Sequence, residues 1–75
     1  MPYTISERKL FRTMIHSGCS HGIVQKAFNE HRASLGKPYR EFPKNSYKMV
    51  KNYLKNANGS DLEDYLKGIT PRNFG

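Results

Sequence analysis

At 75 residues and 36% hydrophobic content, the chain allows one domain with one small core. Its net stability should be on the order of a few kcal/mol. Thirteen Lys and Arg against six Asp and Glu give a net charge of +7 and a pI of about 9.8, within the range of nucleic-acid-binding domains. The mean hydropathy of -0.81, with no long apolar run, excludes a membrane span, and no membrane partner is expected. The single cysteine, Cys19, excludes an intramolecular disulfide. With no charged-then-apolar leader, it points to a reducing cytoplasm.

The expected fold is all-α, a single domain over 1-75 with its core at about 5-69 and a tail at 70-75. Thr4 and Glu7 have capping-box spacing, so a first helix is expected over 5-17. Leu10, Phe11, Met14 and Ile15 form its apolar stripe, with Arg8, Lys9 and Arg12 away from it. Ser17-Gly18 ends it, because glycine accepts the left-handed conformation at a helix terminus. A second helix follows over 20-35. Ser20 is its N-cap, Ile23, Val24, Ala27, Phe28, His31 and Leu35 its stripe, and Gly36 its stop.

Residues 37-44 carry two prolines and favour extended backbone. Tyr39 and Phe42 stand there among Lys37, Arg40 and Lys44. Aromatics interleaved with cations can stack on bases and hold phosphates, or fold back over the core. Core cover is the reading for Phe42, and both remain open for Tyr39. Asn45 or Ser46 should cap a third helix over 45-57, stopped by Asn58-Gly59. Ser60 and Glu63 then have the spacing of a second capping box, for a fourth helix over 61-68 closed by Thr70-Pro71. The expected core is Leu10, Met14, Ile15, Ile23, Val24, Ala27, Phe28, Val50, Leu54, Leu62 and Leu66.

Charge is distributed unevenly. Between Arg8 and Lys55 lie eleven basic residues and two acidic ones, Glu30 and Glu41, whereas Asp61, Glu63 and Asp64 cluster near the end. Lys44, Lys48, Lys51 and Lys55 are spaced four, three and four residues apart, which stacks them along one helix face. Four like charges in a row repel, and a polyanion offsets that cost. The face continues into Asn45, Asn52 and Asn56. Lysine attracts phosphate diffusely, and asparagine pairs with an adenine edge. The candidate binding residues are therefore Lys44, Asn45, Lys48, Lys51, Asn52 and Lys55, with Arg40 and Tyr39 from the linker. A solvated helix face is the plainer alternative.

His16, Cys19, His21 and His31 include zinc-ligand types, but they lack the paired spacing of structural zinc sites. Cys19 next to His16 or His21 can also be read as a nucleophile and base. A chain this short offers no obvious substrate cleft, and no phosphate loop or carboxylate pair is present. The expectation is a binding protein, not an enzyme, without metal or cofactor.

Leu10 to Phe28, reading Leu-x3-Met-Ile-x2-Gly-x-Ser-x2-Ile-Val-x2-Ala-Phe, resembles the front half of a helix-turn-helix. Ser46, Val50, Tyr53 and Leu54 of the third helix are similar in pattern to a recognition helix, extending the resemblance over about residues 5-57. It implies a small DNA-binding transcriptional regulator that uses its third helix. The connection from Gly36 to Lys44 is longer than that family's usual turn, so an inserted loop and a bundle sharing the pattern both stay open. The alternative function is a phage-type modulator or inhibitor docking its lysines on an acidic protein surface, such as a host enzyme or nuclease complex. The frequent Lys, Asn and Tyr fit the AT-rich genome of a phage or low-GC bacterium. DNA is preferred to RNA as the polyanion, although an RNA-associated role is also open.

Overall fold

The computed structural model describes residues 2-69. They form α1 (Ile5–His16), α2 (His21–Ser34), α3 (Lys44–Asn56) and α4 (Gly59–Leu66), with no strand among the described residues. The domain is small and all-α. The expected tail at 70-75 and the Thr70-Pro71 stop lie outside the described residues.

The Thr4 hydroxyl accepts from the Glu7 backbone N–H at 3.1 Å, and the Glu7 carboxylate accepts from the Thr4 backbone N–H at 2.9 Å. This reciprocal cap starts α1 at the expected residue. At its other end Gly18 adopts φ +93°, and the Cys19 N–H reaches the Met14 carbonyl at 3.0 Å. Orphan carbonyls of the last turn are satisfied in this way, and the chain turns sharply into α2.

Ser20 is the N-cap of α2 as expected, although its side chain makes no capping bond. Three other expectations need correction. Neither Asn45 nor Ser46 caps α3, which starts at Lys44 behind Pro43. Proline there suits a helix entrance, since its fixed φ is compatible with the helix and its missing N–H would find no intrahelical partner at that position. Asn58-Gly59 does not end α3 as a left-handed stop. α3 closes at Ala57 in extended backbone, Asn58 is the N-cap of α4 and Gly59 its first residue, so Ser60 cannot cap the helix it already belongs to.

α1 is central, and α2, α3 and α4 each pack against it. Phe11, Ile15, Val24, Phe28 and Phe42 make the buried core, with Tyr3, Leu10, Met14, Cys19, Tyr47, Val50 and Leu54 packed around it. Its centre is aromatic. Phe11 stacks on Phe42 with centroids 4.3 Å apart and meets Phe28 edge-on at 4.8 Å. Phe42, fully buried, is therefore a core residue carried by the linker, as the core-cover reading expected.

Several side chains lie on another side than expected, among them Leu35 of the α2 stripe, which is 57% exposed. Ile23, expected in the core, is 56% exposed, because α2 turns Val24 and Phe28 inward at four-residue spacing. Arg12, expected to face away, is only 6% exposed. Its guanidinium lies 3.8 Å over the Tyr65 ring and donates to the carbonyls of Tyr65 and Ile69 at 3.1 and 3.2 Å. Tyr65 in turn lies 4.1 Å from Tyr53, so a Tyr53–Tyr65–Arg12 stack joins α3, α4 and α1.

Candidate nucleic-acid interface

α3 has no buried residue. Its inner side, Tyr47, Val50, Tyr53 and Leu54, is half-buried together with Ser46, and the remainder faces solvent. With a turn of about 100° per residue, Lys44, Lys48, Lys51 and Lys55 share one narrow sector, and Asn45, Asn52 and Asn56 occupy the next. All seven side chains are exposed. Met49, expected from its spacing to lie with Val50, Tyr53 and Leu54 on the side opposite the lysines, is instead 62% exposed at the far edge of the asparagines. Among the described residues none of the four lysines forms an ion pair with a carboxylate. Lys51 Nζ approaches the Tyr47 ring at 5.8 Å.

The face is anchored from behind by polar contacts that its own sequence does not reveal. One α2 side chain per turn grips the linker. His21 Nε2 bonds the Phe42 carbonyl, and Gln25 Oε1 accepts from the Phe42 N–H at 3.2 Å. Asn29 Oδ1 accepts from the Arg40 N–H at 2.8 Å, while Asn29 Nδ2 donates to the Arg40 carbonyl at 2.9 Å. Arg32 Nε donates to the Pro38 carbonyl at 2.9 Å. Backbone groups of an extended, proline-containing segment are thus satisfied without a strand partner. Tyr47, in the first turn of α3, donates its hydroxyl to the Cys19 carbonyl at 2.8 Å. The entrance of α3 is consequently fixed to the α1–α2 turn. The spacing of His21, Gln25, Asn29 and Arg32 was a readable signal, a polar row at helical period. Sequence offered no means of finding its partners.

Arg32 also reaches Glu7, Nη1 to Oε2 at 3.3 Å, joining the α1 cap to α2. Burial pushes the Glu7 carboxyl up. The Thr4 backbone N–H, the Arg32 hydrogen bond and the charges of Lys37 and Arg32 outweigh it and hold the group below its ordinary value. At the opposite end, burial lowers the Arg12 guanidinium and raises the Tyr65 phenol, each moderated by the other.

The two linker candidates stand apart from α3. Tyr39 is 71% exposed and lines a shallow groove along α2 with Gln25, Lys26 and Asn29. Arg40 lines a second groove with Glu7, Arg32 and Lys37, its guanidinium 4.3 Å above the Tyr3 ring. The six α3 candidates form one continuous surface, and Tyr39 and Arg40 belong to the α2 side. His16, Cys19, His21 and His31 do not converge. Among the described residues no three His, Cys, Asp or Glu side chains are grouped to hold a metal ion. Nor is any described helix long and apolar enough to cross a membrane.

Comparisons with protein-family models, with curated proteins and with solved structures return no match for this chain.

Proposed function

We propose that this protein binds nucleic acid, DNA in preference to RNA, through the exposed face of α3. Its role on this reading is that of a small cytoplasmic regulator of transcription that uses α3 as a helix-turn-helix protein uses its recognition helix. One observation carries the proposal: Lys44, Lys48, Lys51 and Lys55 lie in one exposed row without a carboxylate partner among the described residues. Bringing four ammonium groups together is unfavourable in the free protein. Phosphates relieve the repulsion and release their own counterions, which makes polyanion binding favourable and salt-dependent.

The acidic residues support this reading. α4, with Asp61, Glu63 and Asp64, meets α3 through Tyr65 and Tyr53. Tyr53 is on the side of α3 away from the lysine row, so the route to the lysines is not screened from that contact.

A gel-shift series with duplex DNA, duplex RNA and single strands at rising salt tests the proposal. The expected result is binding to duplex DNA whose log affinity falls linearly with log salt. The slope should correspond to about three or four phosphate contacts. Absence of binding to every nucleic acid, together with direct binding to an acidic protein, sinks the proposal in favour of a protein-docking modulator.

A further inference from the structure

The lysine row has a twin. Asn45, Met49, Asn52 and Asn56 repeat its four, three, four spacing one residue later, at every step. On a helix the two rows run parallel, about 100° apart, over about 16 Å of axis. Every side chain of both rows is exposed, and Met49 is among the most exposed apolar side chains of the described residues. Asn56 Nδ2 rests on the Asn52 carbonyl at 3.1 Å. The side-chain amides of Asn45 and Asn52 make no hydrogen bond to other described residues.

Resting on the nucleic-acid reading above, we propose that this second row reads A·T base pairs in the major groove of duplex DNA. The chemistry of the row matches that edge best. A carboxamide offers one donor and one acceptor side by side, the complement of adenine N7 and N6–H₂. Thymine presents a C5-methyl group there, an apolar contact suited to a flexible thioether such as Met49. The row contains no arginine or lysine to pair with guanine and no carboxylate to accept from cytosine. A helix about 10–12 Å across fits a groove about 12 Å wide, and the span of the row covers about five base-pair steps. The lysines beside it then lie along one sugar-phosphate strand. Duplex RNA is disfavoured twice: its major groove is too deep and narrow, and uracil lacks the methyl.

The test measures binding of the full chain to four synthetic duplex polymers at one salt concentration. These are poly(dA-dT), poly(dA-dU), poly(dG-dC) and poly(dI-dC), the last presenting a G·C-like major groove and an A·T-like minor groove. The proposal expects poly(dA-dT) to bind about ten-fold or more tighter than poly(dG-dC), with poly(dI-dC) behaving like poly(dG-dC). Poly(dA-dU) should bind about three-fold more weakly than poly(dA-dT). Asn52→Ala should collapse the A·T preference, Met49→Ala should remove only the thymine-to-uracil difference, and Lys51→Ala should weaken all four alike. Circular dichroism confirms that these surface variants fold.

Equal, salt-dependent binding to all four polymers overturns the inference while leaving the nucleic-acid reading intact. Poly(dI-dC) behaving like poly(dA-dT) overturns it in favour of the minor groove. Indifference of the wild type to uracil removes Met49 from the reading surface. Failure to bind any duplex overturns the inference and the proposed function together.

Discussion

Arg12 shows how one side chain can hold an element that lacks the means to hold itself. α4 is only eight residues long and makes no side-chain cap at its N-terminus. A free helix of that length is not stable in water. Arg12 places a cation at its C-terminal end, where the helix dipole is negative, and supplies donors to two carbonyls. Arg8 adds a third bond, Nε to the Gly68 carbonyl at 2.9 Å. Gly68 itself has φ +89°, and a Cβ there would fall 2.7 Å from the Ile5 carbonyl oxygen, so the close approach of α4's end to α1 requires glycine. Arg12→Lys keeps the charge but loses the fork geometry and the planar stack on Tyr65. It should cost about 1–3 kcal/mol in urea denaturation. A Lys variant as stable as the wild type would show that charge alone holds α4.

Glu7 couples pH to stability at the same scale. Its folded-state value is depressed, so its contribution is fully present above the ordinary carboxylate value of 4.5 and is lost as pH falls through the folded value. Glu7→Gln cannot ionise and pairs less strongly with Arg32. The variant should be less stable than the wild type at neutral pH. The difference between the two should shrink as pH drops below 4.5, read from thermal melts across the acid range. A constant difference at all pH values would assign the loss to packing.

At the scale of elements, α3 combines a weakly buried inner side with a wholly solvated outer one. Its stability therefore depends on attachment more than on burial: the Tyr47 hydroxyl, the Tyr53–Tyr65 contact and the linker held by α2. The lysines take no part in that attachment beyond the approach of Lys51 to Tyr47. Reversing Lys48, Lys51 and Lys55 to Glu should leave helicity nearly unchanged by circular dichroism while abolishing binding to duplex DNA in a gel shift. Undiminished binding by the triple variant would make the row a solvated surface only. The linker is the other element of consequence. It spans α2 to α3 with two prolines and no regular structure, yet its backbone is hydrogen-bonded by His21, Gln25, Asn29 and Arg32. The orientation of the lysine face follows from that anchoring.

For the whole molecule, the core is so small that its aromatic centre has no redundancy. Phe42 contacts Phe11, Phe28 and Tyr3 and is also the residue whose backbone His21 and Gln25 hold. Phe42→Ala should cost about 3–5 kcal/mol. That is comparable to the total stability of a domain this size, so cooperative thermal unfolding should be lost at room temperature or nearly so. A melt displaced by only a few degrees would mean that the cavity collapses and that the linker is held by its hydrogen bonds alone. The charge arrangement belongs to this scale too. A basic α3 face and an acidic α4 on another side make the protein electrically lopsided, which on the proposed reading would orient it towards a polyanion before contact.

What the sequence determined by itself was everything governed by neighbours three or four residues apart. The Thr4–Glu7 cap, the glycine turn after α1, four helices within a few residues of their bounds and the lysine row on one face are all local consequences of helical period. Tertiary structure decided what the faces meet. Periodicity groups Ile23 with Val24 and Phe28, but only the position of α1 settles that Ile23 stays in water. Charge marks Arg12 as a surface residue, but its long stem and fork fit a buried gap lined by carbonyls 53 and 57 residues away. The asparagine and glutamine of α2 look like solvent-facing polar residues, and their partners are backbone atoms of the linker 11 and 17 residues onward. Hydrogen bonds of that reach depend on how whole elements pack, and no window of a few residues contains that information.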